Sequence, residues 1–405
     1  MATPETPQPR LPLAGIRILD LGTRIAAPFA ATLLADFGAE VIKVELPGSG
    51  DFMRSIGPFE GDYSLWWAVE GRNKKSITLD LRQPRGQQVL KRLIAISDVA
   101  VENFRPGTME AWGLGYDVLR QIRPGLVLTR ASVYGQTGPY RDRPGLDRNG
   151  IGFGGLLYIT GYPDRPPVRP GVIVSDYLTG VFNAFAIMVA LYHRDVNHGR
   201  GQTVDLALYE SIFRILEHTA AAYDRLGAVR GREGNRLRNS APLDNWETRD
   251  GQFVCIVAAG DALFPRLCRA MQRDDLLNDP RFTSLARRAE NGEAINRIVG
   301  EWVKGRTAAQ VEEILIAAEV PVTRAYSIAD IFADPHYAAR EDIVIVEDPT
   351  IGPVRMQAVY PRLSETPGRI RHGAPKLGEH NEEVYGSLLG ISGSEIEELR
   401  RDGVI

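Results

Sequence analysis

Alternation between short apolar strands and amphipathic helices in the N-terminal third of the chain constrains its fold most strongly. Residues 16–21 are aliphatic and β-branched, which predicts a buried strand. Pro28 suits the first turn of a helix, the helical spacing of apolar residues ends at Gly38, and residues 41–45 predict a second strand. This βαβ unit is followed by predicted strands at 76–81, 98–104 and 126–134 and a predicted helix at 84–96. The pattern therefore predicts an α/β fold with a mostly parallel sheet.

The rest of the chain is interrupted by an Arg- and Gly-rich stretch. Residues 175–192 predict a long apolar helix, and a strand at 202–208 follows it. Residues 227–239 have no apolar period and indicate an exposed connector at a domain boundary. A length of 405 residues, at roughly 150 per domain, allows two or three domains. Beyond the connector, the sequence predicts a strand at 252–258 and helices at 261–271, 293–302, 308–318 and 394–401.

Composition narrows the classes of partner and location. The sequence has 48 Lys and Arg residues against 51 Asp and Glu residues, a net charge of -3. The overall charge therefore gives no reason to expect nucleic acid or anionic lipid as a binding partner. Two cysteines, Cys255 and Cys268, are too few for a disulfide framework, a four-Cys zinc site or an iron–sulfur cluster. The near-apolar run at 180–192 is shorter than the roughly 18 residues of a membrane span, and no apolar signal segment opens the chain. We expect a soluble cytoplasmic protein with no nucleic-acid partner, no membrane partner and no bound metal.

The glycine and nucleophile motifs of several common enzyme classes are absent from the sequence or lack their structural context. Residues 150–155, GIGFGG, satisfy G-x-G-x-x-G, but no strand precedes them and no acidic residue is placed for a ribose. The sequence contains no G-x-x-x-x-G-K-[ST], G-x-S-x-G or H-E-x-x-H, and its six histidines do not cluster. A dinucleotide site, a P-loop, an α/β-hydrolase elbow and a zincin site are therefore not predicted.

Asp176, in SDYLTG at the start of the long apolar helix, has two interpretations. As a helix N-cap it would bond the unpaired amides of the first turn, and position alone favours this role. As a functional group it would be an ionised carboxylate, since aspartate ordinarily titrates at about pH 3.9, held where a helix terminus attracts anions. An ionised carboxylate can act as a nucleophile.

Basic residues cluster near the ends of predicted strands in the first half of the chain. Open α/β sheets bind ligands at strand ends, so these clusters favour a phosphate-rich ligand, although each alone is typical of a solvated surface. The residues are Arg72, Lys74, Lys75, Arg105, Arg141, Arg143 and Arg148.

Six ordered segments, spanning nearly the whole chain, together resemble the family III CoA-transferases. The similarity in pattern is greatest to the succinyl-CoA-dependent dicarboxylate transferases. The segments are GIRILDLGTRIAAPFAATLLADFGAEVIKVELPGSGD (15–51), RNKKSITLDL (72–81), DVAVENFRPG (98–107), YGQTGPYRDRPGLD (134–147), RPGVIVSD (169–176) and APKLGEH (374–380).

The resemblance implies an architecture and an assembly. It implies a large Rossmann-like CoA-binding domain over 1–224, a smaller α/β domain over 225–330, and a linker with a C-terminal return to the large domain over 331–405. It also implies an interlaced homodimer, in which folding and association are coupled. A heteromer with a homologous subunit, or a non-catalytic partner subunit, stays open.

The resemblance also implies a mechanism and a binding site. Asp176 matches the family's catalytic aspartate, which forms an acyl anhydride and then an aspartyl-CoA thioester, and Asp147 matches an acidic residue that orients substrate or nucleophile. The CoA thioester is a substrate, and no permanently bound cofactor is implied. Backbone amides at 152–155 or 258–261 are candidates for oxyanion donors. With Arg143 from the basic loop included, the CoA-binding candidates are Arg24, Ile25, Ala26, Lys43, Leu46, Asn73, Lys75, Asn103, Phe104, Arg105 and Arg143.

Substrate identity follows from finer comparison with the family. We expect succinyl-CoA as donor and malate or citramalate as acceptor, and the acceptor's second carboxylate needs a cation such as Arg24, Arg54 or Arg148. The family also includes α-methylacyl-CoA racemases, which carry a histidine just before the acidic residue. Here that position is Leu146, which cannot carry a proton, so the transferase is favoured over the racemase.

Overall fold

The computed structural model describes residues 10–405. The described chain forms two compact units. The first comprises residues 10–156, 170–220 and 339–405, and the second comprises residues 157–169 and 221–338. The second unit is bounded at 221 and 338, where the sequence predicts 225 and 330, and it also takes in 157–169. Residues 1–9, which the predicted boundaries place in the large domain, lie outside the described range.

The secondary structure, in chain order, has the following bounds. The strands are β1 (Arg17–Asp20), β2 (Glu40–Glu45), β3 (Phe59–Glu60), β4 (Tyr63–Ser64), β5 (Lys74–Thr78), β6 (Val99–Glu102), β7 (Val127–Ser132), β8 (Thr203–Ala207), β9 (Leu243–Glu247), β10 (Phe253–Val257), β11 (Val322–Arg324), β12 (Ile343–Asp348) and β13 (Gly352–Gln357). The α-helices are α1 (Pro28–Asp36), α2 (Leu65–Glu70), α3 (Pro84–Ala95), α4 (Thr108–Ala111), α5 (Tyr116–Ile122), α6 (Asp147–Phe153), α7 (Leu156–Ile159), α8 (Val174–Val196), α9 (Leu208–Arg214), α10 (Thr219–Leu226), α11 (Phe264–Ala270), α12 (Leu285–Glu290), α13 (Gly292–Lys304), α14 (Ala308–Ala317), α15 (Ile328–Ala333), α16 (Pro335–Ala339) and α17 (Gly393–Arg401). Short 3-10 helices cover Phe52–Ser55 and Asp274–Leu277, and a π-helix covers Glu382–Leu388.

The first unit is built on a parallel sheet with the strand order β5-β2-β1-β6-β7-β8. Ile18 of β1 pairs with Val41 of β2 on one side and with Val99 of β6 on the other. Chain order reverses between β1 and β6, and open α/β sheets bind ligands beyond the carboxyl ends of the strands at such a point. The predicted α/β class with a parallel central sheet is confirmed.

Both faces of the central strands β1, β2 and β6 are buried, which explains why these strands are rich in aliphatic residues. Leu19 and Ala100 face a core formed with α3 and with the C-terminal residues, among them Tyr385. Ile18, the neighbour of Leu19 in sequence, faces the opposite side, where α1 and α8 cover the sheet. The C-terminal segment therefore completes the core of the first unit.

Helix α8 extends beyond the predicted helix at 175–192 by one residue at its start and four at its end. Among the described residues only α8 is long and apolar enough, by length and composition alone, to cross a membrane, and core helices of soluble proteins meet the same criterion. It packs against α1, α9 and β7, where Ile187 and Leu191 are buried. Its opposite side exposes large apolar side chains, including Phe185 and Tyr192.

The second unit has a three-stranded antiparallel sheet with the order β11-β10-β9. Val254 and Ile256 of β10 are fully buried in a core that α11, α13 and α14 complete. Helix α11 begins at Phe264, later than the predicted 261, because Pro265 occupies its first turn.

In the first unit, β5 begins at Lys74, two residues before the predicted 76, since it pairs with β2 from Val41 onward.

Candidate active site

Asp176 is the third residue of α8 and not its N-cap, so the capping role that its position favours is wrong. The helix begins at Val174, and the capping position is held by Ile173, whose side chain makes no capping bond. Instead, Oδ1 of Asp147 accepts hydrogen bonds from the N–H of Ser175 at 2.9 Å and its hydroxyl at 2.8 Å, and from the N–H of Asp176 at 3.4 Å. Asp147, the first residue of α6, therefore satisfies the amides that open α8.

The carboxyl group of Asp176 has a pKa raised to about 7. Burial is the largest cause, the negative charge of Asp147 adds to it, and the guanidinium of Arg24 acts in the opposite direction. At neutral pH the group is thus divided between its acid form and a desolvated carboxylate. Since only the carboxylate can attack a carbonyl carbon, reactivity through Asp176 must rise with pH in this range.

Asp176 lines a cavity of about 570 Å³ within the first unit. The cavity lies beyond the carboxyl ends of β1, β6 and β7, at the point where chain order reverses, as expected for a ligand site in an open α/β sheet. Helix α6 and the loop before it form another wall. The CoA-binding candidates that line the cavity with Asp176 are Arg24, Ile25, Ala26, Asn103, Phe104, Arg105 and Arg143.

Two arginines of the cavity are held against aromatic rings. The Arg24 guanidinium lies 3.8 Å from the ring centre of Phe52, and that of Arg143 lies 3.4 Å from the ring centre of Tyr140. Neither forms a salt bridge within residues 10–405. Stacking restrains a guanidinium face while its N–H edges stay available for bidentate bonds to carboxylate or phosphate. With Arg105 also present, the cavity is suited to a ligand with several anionic groups.

Lys43 and Asn73 are buried and are not among the residues that line the cavity, so a role for either residue in binding CoA stays a prediction. Lys43 is 1% exposed, and its ammonium group forms salt bridges with Asp51 at 2.8 Å and Asp20 at 3.5 Å. Their charges outweigh the effect of burial and raise the pKa of Lys43. Asn73 donates to Asp36 at 2.7 Å and accepts from the N–H of Arg371 at 2.6 Å, so it fastens the C-terminal return.

Leu46 and Lys75 also lie outside the cavity lining. Lys75 forms salt bridges of 2.7 Å with Glu40 and 2.6 Å with Glu383, so its charge is engaged within the protein. Leu46 is exposed in the loop after β2. A role for either residue in binding CoA stays a prediction.

Of the three arginines predicted to bind a second carboxylate, Arg24 alone lines the cavity. Arg54 makes two hydrogen bonds to the buried Glu45, at 2.7 and 2.8 Å, and lies on the ring of Trp67. Arg148 is exposed on α6. Arg54 therefore stabilises the fold, because removing it would leave a buried carboxylate without its partner.

The glycines at 152–155 do not line the cavity, whereas Gly145 does. Residues 150–153 are part of α6, which confirms that GIGFGG is not a dinucleotide loop. Residues 258–261 belong to the second unit, and their role as oxyanion donors stays a prediction.

Sequence reasoning did not identify Ser132 and Asn149, which also line the cavity. The hydroxyl of Ser132 has no hydrogen-bond partner in the described part of the chain. Its place at the carboxyl end of β7 is a signal that could have pointed to it. Asn149 accepts from the N–H of Leu146 at 2.9 Å and so shapes the loop before α6.

Tyr177, the neighbour of Asp176, is fixed by two hydrogen bonds. Its hydroxyl donates to Glu70 at 2.9 Å and accepts from the indole N–H of Trp66 at 3.0 Å. Burial raises the pKa of the Glu70 carboxyl group. The ring of Phe29 packs edge to face against the ring of Tyr177. These contacts, together with those of Asp147, fix the first turn of α8.

Comparison with known proteins identifies the family of this chain. The family model described as CoA-transferase family III matches residues 13–381. The chain belongs to CoA-transferase family III. Two curated relatives from Chloroflexus aurantiacus are a succinyl-CoA–D-citramalate CoA-transferase, 44% identical over 98% of this chain and 99% of the relative, and a succinyl-CoA–L-malate CoA-transferase beta subunit, 46% identical over 98% of each. A solved structure of a CaiB/BaiF family protein from Brucella suis superposes with a TM-score of 0.84 at 32% identity, covering 94% of this chain and 100% of that one.

Membership confirms the resemblance that six sequence segments indicate and establishes this family III CoA-transferase as an enzyme that uses CoA thioesters. The structure adds that Leu146 lines the cavity and is 59% exposed. An aliphatic side chain at that position provides no second base for exchange of an α-proton.

Proposed function

We propose that the enzyme transfers CoA from succinyl-CoA to a small hydroxy-dicarboxylate, malate or citramalate. The observation that carries the proposal is a desolvated carboxylate, Asp176, in a cavity lined by arginines. The choice of substrates is supported by the Chloroflexus aurantiacus relatives, whose names specify succinyl-CoA with D-citramalate or L-malate.

The first half of the reaction loads CoA onto the enzyme. A carboxylate oxygen of Asp176 attacks the thioester carbonyl of succinyl-CoA, the C–S bond breaks, and CoA thiolate leaves with the electron pair. The thiolate then attacks the aspartyl carbonyl of the mixed anhydride. Succinate leaves, and Asp176 becomes a CoA thioester.

The second half reverses these steps with the acceptor. The acceptor carboxylate attacks the aspartyl thioester and releases thiolate, and the thiolate attacks the acceptor carbonyl of the new anhydride. Asp176 is regenerated as a carboxylate, and no net proton is gained or lost. Each step exchanges one activated acyl group for another, so exclusion of water is the main requirement on the site.

Arg24 is our candidate for binding the distal carboxylate of succinyl-CoA and of the acceptor. It lines the same cavity as Asp176 and lowers the pKa of that group through its charge. Arg105 and Arg143, which line the cavity as well, are candidates for the phosphates of CoA. Arg24→Ala should raise KM for the dicarboxylate acceptor more than KM for a monocarboxylate analogue.

Peptide mass spectrometry after incubation with succinyl-CoA tests the covalent role. The wild type should carry CoA or a succinyl group on the peptide that contains Asp176, and Asp176→Ala should carry neither. CoA transfer to malate or citramalate by Asp176→Ala at the wild-type rate would contradict the proposal. Absence of transfer, with proton exchange on a branched acyl-CoA, would instead identify a racemase.

We also propose that the enzyme is a homodimer. Large apolar side chains at helical spacing lie along one face of α8, and Val181, Phe185, Val189 and Tyr192 are at least half exposed. A second copy that covers this face would remove it from water. Sedimentation should show a dimer that unfolds as it dissociates on dilution, whereas a stable folded monomer, or activity that requires an added homologous subunit, would contradict the homodimer.

A further inference from the structure

The loop after β1 holds Arg24 in a backbone conformation that arginine seldom adopts. Its φ angle is 64°, in the left-handed region, where a side chain crowds its own backbone. Such a conformation persists only where the surrounding structure holds it, and these positions concentrate at functional sites. The contacts of this loop therefore show what sets the position of the Arg24 side chain.

The carboxylate of Asp51 fixes the backbone of Arg24. It is 3% exposed, and its Oδ1 accepts a hydrogen bond of 3.1 Å from the N–H of Arg24. Its Oδ2 lies 2.8 Å from the ammonium group of Lys43, which also donates to the carbonyl of Gly22. Between Gly22 and Arg24, the side-chain amide of Asn103 accepts a hydrogen bond of 2.8 Å from the N–H of Thr23 and donates one of 2.7 Å to the carbonyl of Thr23. Lys43 thus helps to shape this loop.

The same carboxylate also places the ring on which Arg24 stacks. Asp51 is the N-cap of the 3-10 helix Phe52–Ser55, and its Oδ1 accepts from the N–H of Met53 at 2.9 Å. That bond fixes the backbone on both sides of Phe52. The ring of Phe52, 45% exposed, then lies 3.8 Å beneath the Arg24 guanidinium.

We propose that Asp51 and Phe52 are positioning residues that set the Arg24 guanidinium in the cavity beside Asp176. Asp51 acts on the backbone and Phe52 on the side chain, so neither needs to touch substrate. The assignment of the distal carboxylate to Arg24 rests on the proposed function, whereas the positioning of Arg24 does not.

Variants of the exposed Phe52 test the positioning without disturbing a buried charge. Phe52→Leu should raise KM for the dicarboxylate acceptor about three- to fivefold with kcat within about twofold, because a lost guanidinium stack corresponds to that range. Phe52→Tyr keeps the ring and should restore the wild-type KM. Phe59→Leu, a substitution of a similarly exposed phenylalanine on β3, should leave KM unchanged. A wild-type KM in Phe52→Leu would refute the role of the ring.

A double-mutant cycle tests whether Asp51 acts through Arg24. Asp51→Asn should raise acceptor KM at least tenfold in the wild-type background and should change it less than twofold in Arg24→Ala. An equal effect in both backgrounds would overturn the proposal and leave Asp51 a purely structural residue.

Crystal structures of the wild type and of Phe52→Leu provide a readout that needs no substrate. The proposal expects the Arg24 guanidinium to leave its place beside Asp176 in the variant, and an unmoved guanidinium would count against it even if the acceptor were an acid of another kind. Conversely, the wild type could transfer no CoA to malate or citramalate while Arg24 is displaced in Phe52→Leu as expected. That result would refute the proposed function and not the positioning.

Discussion

Replacement of Asp147 by asparagine should change the pH dependence of the enzyme in a defined direction. The pKa of Asp176 is raised to about 7 by burial first and by the charge of Asp147 second. Asparagine keeps an oxygen that can accept from Ser175, so the cap of α8 is retained while the negative charge is removed. The pKa of Asp176 must then fall, and more of the nucleophile is ionised at a given pH below neutrality.

The size of the effect follows from the spacing of the two groups. Oδ1 of Asp147 lies 3.4 Å from the amide nitrogen of Asp176, so the two residues are direct neighbours. Two like charges roughly 6 Å apart repel by about 2.8 kcal/mol at an effective dielectric constant of about 20, equivalent to roughly 2 pH units. Water in the cavity weakens the repulsion, so the rising limb of the pH profile should move down by roughly 1 to 2 pH units.

The assay is the rate of adduct formation on Asp176 with succinyl-CoA in a single turnover, followed from about pH 5 to pH 9. The wild-type rate should rise through about pH 7, and that of Asp147→Asn should rise at lower pH to a smaller plateau, since a less basic carboxylate is a weaker nucleophile. Asp117→Asn, which removes an exposed carboxylate from α5, is the matched control. If the rising limbs of the two pH–rate profiles, wild type and Asp147→Asn, coincide, the electrostatic coupling between Asp147 and Asp176 is refuted.

Three further substitutions test the fold and the assembly. Arg54→Ala should lower the free energy of unfolding, measured in urea, by about 3 kcal/mol, because Glu45 would keep a buried charge without its guanidinium partner. The acceptor KM should not change. A raised KM with unchanged stability would instead indicate that Arg54 binds substrate. Gly86→Ala should destabilise by about 3 kcal/mol or more, since the added Cβ would lie 2.1 Å from the carbonyl oxygen of Asp80, and a wild-type urea midpoint would contradict this packing. Phe185→Asp should weaken self-association at least tenfold in sedimentation velocity, and an unchanged dimer would show that this face of α8 lies outside the interface.

The order of strands and helices in the first unit was predictable because local rules agree there. Apolar runs short enough for strands alternate with helices that begin at Pro28 and Pro84. The ends of strands were less certain, since β5 is set by its pairing with β2 and not by its own composition. The assignment of 157–169 to the second unit depends on contacts distant in sequence, which periodicity does not reveal.

The candidate site was predictable in its location more than in its contacts. Residues after β1 and β6, such as Arg24 and Asn103, line the cavity because parallel strands end at one edge of the sheet. The pairing of Lys43 with the buried carboxylates of Asp20 and Asp51 was not visible in the sequence, because a lysine near a strand end suits a bound ligand and a buried carboxylate equally well. Capping of α8 by Asp147, distant in sequence, was likewise not visible in the local pattern around Asp176.

Oxygen labelling tests most directly whether Asp176 carries the acyl group during CoA transfer. With malate labelled by 18O in its carboxylates, breakdown of the second anhydride should leave one labelled oxygen on Asp176, and further turnovers should pass that label into succinate. Mass spectrometry of the Asp176 peptide and of succinate, during turnover with succinyl-CoA, measures both. Label in both supports a covalent aspartyl mechanism, whereas formation of malyl-CoA with an unlabelled Asp176 peptide and unlabelled succinate would contradict it.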